Sequence, residues 1–407
     1  MLAKLRVSRI CLVSAASFAL FTQAMDLYHA ERDGFPVLRR RGVSPDMSCG
    51  SASNYTCPDQ LCCSVHGWCG SSENYCLDGC QPDFGNCGSK WMPTPGASTG
   101  GPLPTSIDGQ CGPGVGICPS GQCCSPSGWC GITTAYCASP DCQTGYGTCD
   151  ADATPRGLNT SAIRRYKLGK VPYGEAIYGC KDPGHVAMTF DDGPYLYTDD
   201  LLNILAEHGA KATFFVTGNN LGKGEIDSLD KPWRQYITKA YAAGHQIASH
   251  SWSHANFDEL TPWEQKRELY KNEMALVNII GKFPAYFRPP YSACGDICLA
   301  TLEQLGYHVI YFDFDTEDYL HSTADTIQQS KDIVKAYFGG RDSKLSDTLS
   351  IQHDIHYQTV YNLTEYSLQI MQQKGYKLVT VGECLGDPKS NWYRSWPDKP
   401  KARSKVK

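Results

Sequence analysis

The segment His185-Val186-Ala187-Met188-Thr189-Phe190-Asp191-Asp192-Gly193-Pro194 decides the fold of the longest part of this chain. Its first six residues are typical of a buried strand. A helix is predicted from Leu201 to His208, and a second strand from Ala212 to Val216. A helix near Trp233 to Ala243 and a strand at Gln246 to Ala248 continue the alternation. Strands that alternate with helices predict a parallel α/β sheet or barrel, here of about 200 residues.

The same alternation extends towards residue 388. Thr261, Pro262 and Glu264 have the pattern of a capping box with proline at the first helical position, so a helix is expected to begin there. Further strands are predicted at Val309 to Phe312, Leu349 to Ile351 and Lys377 to Thr380. In a barrel of parallel strands, active-site groups lie at the carboxyl ends of the strands. Reactive side chains are therefore expected where these strands end.

Two strand ends carry residues suited to metal and acid–base chemistry. Asp191 and Asp192 end the first strand, and His250 and His254 follow the strand at Gln246 to Ala248. Neighbouring side chains of a strand point to opposite faces, so one carboxylate can bind a metal while the other acts as a base. Histidines at positions i and i+4 lie on one side of a helical turn. Two histidines and one aspartate are three protein ligands, the number found in catalytic zinc sites.

Three more strand ends carry motifs that are each weak alone: Phe287-Arg288-Pro289-Pro290-Tyr291, Asp315-Thr316-Glu317-Asp318-Tyr319 and Ile351-Gln352-His353-Asp354. Together and in this order, the five motifs resemble those of the polysaccharide deacetylases, carbohydrate esterase family 4. The resemblance covers most of residues 178–388 and looks closest to the secreted fungal chitin deacetylases of that family. It implies an α/β fold, a distorted (β/α) barrel of the polysaccharide deacetylase type.

The resemblance also implies a reaction, the metal-dependent hydrolysis of N-acetyl groups of N-acetylglucosamine residues in chitin, which gives chitosan and acetate. Asp191 resembles the family's general base, and His353 its general acid, tuned by Asp318. Arg288 would orient Asp191, and the backbone N–H of Tyr291 would help to hold the oxyanion. The metal, Zn²⁺ or another divalent ion such as Co²⁺, would be bound by Asp192, His250 and His254.

The cysteines are concentrated in the first part of the chain. Sixteen of the 21 lie between Cys49 and Cys149. Intervals of 5, 1, 6 and 7 residues separate the cysteines from Cys57 to Cys76, and the same intervals recur from Cys118 to Cys137. Two copies of an eight-cysteine unit are therefore predicted, at residues 46–90 and 108–150. A unit of about 40 residues buries too little apolar surface to fold alone, so its disulfides must stabilise it, each by ~2–4 kcal/mol.

Both units also carry serine, tryptophan and tyrosine at matching positions, and the aromatic rings offer flat faces on which a sugar ring can stack. Both resemble hevein-like chitin-binding modules. The resemblance assigns sugar binding to Ser64, His66, Trp68, Tyr75, Ser125, Trp129 and Tyr136. A further aromatic position of the family is His66 in the first module and Ser127 in the second. Because serine cannot stack, we predict that the second module binds chitin more weakly.

The two resemblances also imply disulfide pairings. In the modules these are Cys49–Cys63, Cys57–Cys69, Cys62–Cys76, Cys80–Cys87, Cys111–Cys124, Cys118–Cys130, Cys123–Cys137 and Cys142–Cys149. In the deacetylase-like region they are Cys180–Cys384, which would join the ends of the domain, and Cys294–Cys298, which would close a small loop.

The remaining segments are assigned by composition. Residues 1–24 place basic residues before a short apolar run and are predicted to be a secretory signal peptide. Residues 25–45 contain the basic run Arg39-Arg40-Arg41 and are either a pro-segment removed at that run or an exposed turn. Linkers are predicted at residues 91–107 and 151–177, and a solvated basic tail at residues 389–407. N-glycosylation sequons start at Asn54, Asn159 and Asn362.

Composition and charge exclude some partners. The chain has 37 basic and 42 acidic residues, and this net negative charge argues against a nucleic-acid partner. No segment after the signal is long and apolar enough to suggest a membrane span. We therefore expect a secreted monomer, extracellular or in the cell wall, whose partner is chitin or chitin oligomers.

Three other functions remain open at this level. Asp313, Asp315 and Glu317 have the Asp-x-Asp-x-Glu spacing of one large chitinase family, although Ile310 and Tyr311 replace its upstream Asp-Gly. A non-catalytic protein that covers wall chitin is a second alternative. A deacetylase of peptidoglycan or acetylated xylan is a third, because it keeps the chemistry and changes the polymer.

Overall fold

The computed structural model describes residues 42–44, 47–50, 53, 55–58, 61–64, 66–70, 80–81, 84–85 and 103–395. The chain divides into two compact units between Met92 and Pro93. Several predicted features lie outside the described residues: the signal peptide, residues 25–41 of the possible pro-segment, residues 91–102 of the first linker, Asn54, Tyr75 and the tail beyond residue 395. So do Cys76 and Cys87, the predicted partners of Cys62 and Cys80.

The described part of the first unit contains two short strand pairs. A parallel pair joins β1 (Gly42–Val43) to β2 (Tyr55–Thr56), and an antiparallel pair joins β3 (Cys62–Cys63) to β4 (Cys69–Gly70). Its small buried cluster consists of cysteines, and two disulfides run through it, Cys49–Cys63 and Cys57–Cys69. These are the pairings that the resemblance implies, and they replace an apolar core that so short a segment cannot form.

The second cysteine-rich module begins the second unit. It contains an antiparallel pair, β5 (Cys123–Cys124) and β6 (Cys130–Gly131), and a short helix, α1 (Thr134–Cys137). Four disulfides hold it together, in the implied pairings Cys111–Cys124, Cys118–Cys130, Cys123–Cys137 and Cys142–Cys149. The described part of the first module and the second module therefore share an antiparallel strand pair and two equivalent disulfides.

The rest of the second unit alternates strands with helices, as predicted. The strands are β7 (Ala176–Ile177), β8 (His185–Ala187), β9 (Thr189–Asp191), β10 (Thr213–Val216), β11 (Gln246–Ser249), β12 (Lys282–Pro284), β13 (Tyr286–Phe287), β14 (His308–Ile310), β15 (Phe314–Asp315), β16 (Thr348–His353), β17 (Lys377–Val379) and β18 (Tyr393–Ser395). The helices are α2 (Thr198–Glu207), α3 (Trp233–Ala242), α4 (Pro262–Ile280), α5 (Asp296–Leu305), α6 (Ile327–Gly339), α7 (Thr364–Gln373) and α8 (Val381–Cys384). The predicted capping box begins α4, where Thr261 and Glu264 bond each other's backbone N–H groups.

The sheet is parallel and strongly curved. Its strands follow the order β17-β8-β16-β9-β10-β11-β13-β14-β7, with β15 paired to β16. Side chains from seven strands form one interior cluster, which includes Ile310 of β14 and Val379 of β17. Because these strands lie near opposite ends of the order, the sheet must curl to bring them into one cluster. The result is the predicted distorted barrel, with helices packed on its outer face around a second, larger cluster.

A disulfide connects the two open edges of the barrel. Cys180 follows edge strand β7, and Cys384 lies in α8, directly after edge strand β17. The Lys181 N–H also donates a hydrogen bond to the Cys384 carbonyl at 2.9 Å. The barrel is therefore closed at this point by a covalent bond instead of a strand pair.

The prediction of a solvated tail from residue 389 was wrong for residues 389–395, because Trp392 is buried in the interior cluster and β18 pairs with β12.

Residues 151–177, which composition predicted to be a linker, pack along the barrel. Arg165 forms a buried ion pair with Glu273 of α4 at 2.7 Å. The Tyr173 ring stacks on His308 with centroids 4.0 Å apart, and β7 pairs with β14. Local composition did not indicate this because every partner is distant in the sequence. Among the described residues, no helix is both long and apolar enough to cross a bilayer.

Candidate active site

The motifs identified from sequence meet in one cavity of about 400 Å³ at the carboxyl end of the barrel. Asp191 and His353 are the last residues of β9 and β16 and are paired in register. His250 and Arg288 directly follow β11 and β13. Parallel strands place their carboxyl ends on one edge, which is why motifs far apart in the sequence converge here.

Three side chains in the cavity form a candidate metal centre. Asp192 Oδ1 lies 3.1 Å from His254 Nε2 and 3.5 Å from His250 Nε2. One ligand atom from each of the three residues lies within 4.8 Å of the others. The group fits a divalent cation, because Asp192 Oδ1 is buried with no hydrogen-bond partner and faces both imidazoles. Among the residues that the structure describes, the other metal-like groupings are cysteines already in disulfides.

The state of His250 also suits metal binding. Its Nδ1 lies 2.7 Å from the Arg288 carbonyl, a contact that places the proton on Nδ1 and leaves a lone pair on Nε2. Burial and the neighbouring His254 lower the pKa of His250 to about 3. A neutral imidazole with a free Nε2 is the form that coordinates metals.

The backbone differs from the sequence prediction at both motifs. The strand ends at Asp191, and Asp192 has φ +74°, so the two carboxylates reach the same cavity instead of opposite faces. Both lie near His250 Nε2, with Asp191 Oδ2 at 3.8 Å. The prediction that His250 and His254 lie on a helical turn was wrong. The segment between them is irregular, with Ser251 and His254 at positive φ, and this turn brings the two rings to 5.0 Å.

Asp191 is held by an arginine. Arg288 Nη1 donates to Asp191 Oδ1 at 2.8 Å, while Nη2 and Nε donate to the carbonyls of Tyr311 and Ile310. The guanidinium also lies over the Phe215 ring. Burial raises the pKa of Asp191 to about 6, although Arg288 and His353 oppose this effect. Asp191 is therefore ionised at neutral pH and close to the range in which a general base is effective.

His353 is held by a carboxylate. Its Nδ1 lies 2.8 Å from Asp318 Oδ1, and its backbone N–H donates to Asp318 Oδ2 at 2.8 Å. Asp318 is fully buried and also accepts from the Thr359 hydroxyl at 2.7 Å. Burial by itself lowers the pKa of His353, but the charge and hydrogen bond of Asp318 outweigh it and raise the pKa to about 10. The Tyr319 ring meets the imidazole edge-on at 5.4 Å.

The Arg-Pro-Pro-Tyr motif forms one rim of the cavity. Tyr291 has φ +58°, a left-handed conformation that is unusual for tyrosine. Its ring is 60% exposed and meets His254 edge-on, with centroids 4.6 Å apart. The small disulfide Cys294–Cys298 lies just beyond this turn.

Two buried groups near the site were missed from sequence. Lys223 donates to the carbonyls of Asp192 and Gly193, at 2.9 and 3.1 Å, and to the Thr217 hydroxyl at 3.0 Å. Glu268 of α4 accepts from the N–H groups of Trp252 and Ser253. Both hold the backbone of a motif instead of facing the cavity. Lys223 lies in a Gly-Lys-Gly loop, which is typical of exposed turns, so no sequence signal marked it.

Three further cavity residues also escaped the sequence prediction. They are Ser292, Phe312 and His356, which lie outside the five motifs. Of these, His356 had a usable signal, because it lies three residues after His353 and a single turn can bring both rings to one side.

The serine and the tryptophan that are predicted to bind sugar are arranged alike in the two modules. Trp68 and Trp129 are 53% and 48% exposed. Ser64 and Ser125 are buried, and each hydroxyl accepts from the N–H of the tryptophan four residues later. His66 is exposed, and Tyr136 is half-buried against Gly131. Of the three sequons, Asn159 and Asn362 are exposed.

Comparisons with known proteins agree with these features. Residues 178–310 match the family described as polysaccharide deacetylase, and residues 48–90 and 109–149 match the chitin recognition protein family. A chitin deacetylase of Pestalotiopsis sp is 39% identical over 241 residues, which are 59% of this chain and 76% of that protein. A probable peptidoglycan-N-acetylglucosamine deacetylase of Arthroderma benhamiae is 40% identical over 228 residues, which are 56% of this chain and 50% of that protein.

A solved structure shows the same fold. It is that of the chitin deacetylase from the fungal pathogen Colletotrichum lindemuthianum, with a TM-score of 0.52 and 37% identity. The match covers 55% of this chain and 97% of that one.

Proposed function

Because this chain belongs to the polysaccharide deacetylase family, we propose that it hydrolyses the N-acetyl groups of N-acetylglucosamine residues in chitin, releasing acetate and leaving free amines. One observation carries the proposal. A single cavity holds a cluster of two histidines and an aspartate, a carboxylate bound by arginine, and an imidazole bound by a second carboxylate. The chitin-recognition matches in the same chain support chitin as the polymer.

We assign the metal to Asp192, His250 and His254, with Zn²⁺ as the expected ion because imidazole and carboxylate ligands suit it. When bound, such a cation acts as a Lewis acid that polarises a carbonyl group and lowers the pKa of water. Arg288 supports the ligand set indirectly, since its carbonyl fixes the tautomer of His250.

Asp191 and His353 move the protons of the reaction. Asp191 takes a proton from the water that attacks the acetamide carbon, and Arg288 keeps its carboxylate aimed at that water. The backbone N–H of Tyr291 donates to the oxygen that becomes negative. The C–N bond then breaks, and His353 gives the proton on Nε2 to the amine nitrogen, since its Nδ1 is occupied by Asp318. The products are acetate and a free glucosamine unit.

The acidic residues that match the chitinase pattern support cleavage of the chitin chain less well than the cavity supports deacetylation. The Asp313 carboxylate accepts from the Leu349 N–H at 2.7 Å, and Asp315 accepts from the Glu317 N–H at 2.8 Å. Glu317 lies 3.6 Å from His321. Each of these three carboxylates is therefore engaged by a nearby group of the protein.

Acetate release from a soluble chitin hexamer tests the proposal. We expect acetate and an amine-bearing hexamer of unchanged length, loss of activity with a chelator, and recovery on adding Zn²⁺. Peptidoglycan and acetylated xylan are assayed in parallel, and faster release from either would reassign the substrate. Short acetylated fragments would instead indicate a chitinase, and chitin binding without any product would indicate a non-catalytic protein.

We also propose that the protein is secreted, extracellular or bound to the cell wall. Eight disulfides occur among the described residues, and disulfides persist mainly in oxidising compartments. The first residue of the exported protein distinguishes removal of residues 1–24 from removal through residue 41.

A further inference from the structure

The second cysteine-rich module packs directly against the barrel beside the active site. The Leu221 N–H donates to the Ser139 carbonyl at 2.9 Å, and Asn219 Nδ2 donates to the Asp150 carbonyl at 3.0 Å. Asn219 is 3% exposed. These bonds join residues of the module to a loop that follows β10, so the contact has a defined register.

The contact also reaches the turn between the two histidines of the metal centre. Trp252 lies between His250 and His254 and is fully buried, and its indole N–H donates to the Ala151 carbonyl at 3.2 Å. Lys271 of α4 donates to the same carbonyl at 2.7 Å. Ala151 lies directly after the module, so the position of the module is coupled to the position of the metal ligands.

A groove of about 400 Å³ runs along this contact. Its walls include three residues from the module and three from the barrel: Pro140, Asp141 and Thr144, and Asn256, Glu259 and Tyr291. Tyr291 also lines the active-site cavity. The groove therefore adjoins the active site at Tyr291, and its volume lies within the range of about 300–1,000 Å³ typical of ligand sites.

The lining of the groove suits a pyranose ring, which has apolar C–H faces and a polar rim of hydroxyls. Pro140 and the exposed Tyr291 ring provide apolar surfaces. Asp141, Glu259 and Asn256 provide acceptors and donors for hydroxyl and acetamide groups. Burial and the charges of Asp141, Asp192 and Glu259 raise the pKa of Tyr291 to about 12, so its hydroxyl stays protonated at neutral pH.

We propose that this module groove is a substrate subsite for the N-acetylglucosamine units next to the unit being deacetylated, with the second module as one wall of the cleft. The inference rests on the proposed function, because its occupant is a neighbouring part of the same polymer. The reason for this occupant is that Tyr291 lines both the groove and the active-site cavity, so a polymer bound in the cavity has its neighbouring units beside the groove. The second module then has two roles, a chitin-binding face around Trp129 and a part in the catalytic cleft.

Oligomers of different length test the groove. Thr144→Arg places a large side chain in it, and Asp141→Asn removes a charged acceptor. In both variants we expect kcat/KM for the hexamer to fall about tenfold more than kcat/KM for the dimer, because only the longer chain reaches the groove. Asp108→Asn is the matched control, the same substitution in the same module but outside the groove. If all three variants keep the wild-type length dependence, the groove is not a subsite.

A binding measurement tests the groove independently of the deacetylation reaction. In the full chain carrying Trp68→Ala and Trp129→Ala, hexamer affinity is measured by calorimetry with and without Thr144→Arg. We expect Thr144→Arg to weaken binding about tenfold. Equal affinity would overturn the subsite. Groove-dependent binding in a protein that releases no acetate would instead refute the proposed reaction and leave the subsite standing.

Discussion

At the scale of single residues, the environments of Asp191 and His353 assign them opposite tasks. Burial raises the pKa of Asp191 to about 6, and Asp318 raises that of His353 to about 10 against the effect of burial. At neutral pH the carboxyl is therefore ionised and the imidazole protonated. One group can accept a proton while the other can donate one, which is the usual division in a general acid–base pair.

Replacing the proposed base tests this division. Asp191→Asn keeps the size of the side chain but cannot accept the proton, so we expect kcat for acetate release to fall by about 10²–10⁴. Chitin binding, measured by co-sedimentation, should persist because the modules are untouched. The control is Asp182→Asn, an exposed carboxylate outside the cavity. A variant at Asp191 with near wild-type kcat would refute the assigned base.

The alkaline limb of the pH profile tests the role of Asp318. His353 must be protonated to donate, so activity falls as pH rises towards about 10. In Asp318→Asn the attraction is lost while burial still lowers the pKa of His353, so the limb should move about two or more units towards neutral pH. The measurement is kcat against pH.

The matched control for the pH profile is Asp315→Asn. Asp315 lines the same cavity but bonds Glu317 and Tyr319 instead of the imidazole. The alkaline limb of the Asp315→Asn profile should move much less than that of the Asp318→Asn profile. If the alkaline limbs of the two variants coincide, Asp318 does not set the pKa of His353.

At the scale of elements, helix α4 holds the turn that carries the histidines. Glu268 Oε2 accepts from the N–H of Trp252 at 3.0 Å and from that of Ser253 at 2.7 Å. Both N–H groups lie between His250 and His254, in a segment without regular secondary structure. The carbonyls of Ser251 and Trp252 accept from the N–H groups of Gly218 and Asn219, whereas the N–H groups of Trp252 and Ser253 are bound by Glu268, so the shape of the turn depends in part on α4.

Removing this support should weaken metal binding. We expect Glu268→Ala to lower Co²⁺ affinity about 10–100-fold, the usual effect of losing a group that orients metal ligands. Co²⁺ affinity is measured from the absorption of the bound ion, independently of activity. Glu268→Gln keeps an acceptor oxygen, so its Co²⁺ affinity should fall less than that of Glu268→Ala. Equal affinity in all three proteins would contradict the role of Glu268.

At the scale of the whole molecule, one covalent bond spans the open side of the barrel. Cys180 and Cys384 are separated by 204 residues, whereas Cys294 and Cys298 are separated by 4. Cross-linking restricts the unfolded chain more when the closed loop is longer. The two disulfides should therefore differ in their effect on stability.

Paired serine substitutions test the difference. Replacing Cys180 and Cys384 should lower the free energy of unfolding by about 3–5 kcal/mol, and replacing Cys294 and Cys298 by about 2 kcal/mol or less. Both are measured by denaturant titration of the full chain. A larger loss from the short loop would show that local strain or packing, and not chain entropy, decides the contribution.

Much of the fold was predictable because its signals are local. Apolar runs, the capping box at Thr261 and the repeated cysteine intervals depend on neighbours in the sequence. The packing of residues 151–177 was not predictable in this way, since Arg165 and Tyr173 find their partners on α4 and β14. Composition describes what a segment contains and not what lies against it.

The sequence by itself determined the family, the alternation of strands and helices, and the residue types of the site, because each is written in motifs of a few residues. Only the tertiary structure decided how the parts face one another. The positive φ of Asp192 directs the carboxylates of Asp191 and Asp192 into the same cavity. Glu268 holds the turn between His250 and His254. The groove beside Tyr291 exists because two surfaces far apart in the chain meet. Such contacts depend on three-dimensional packing, which no local pattern records.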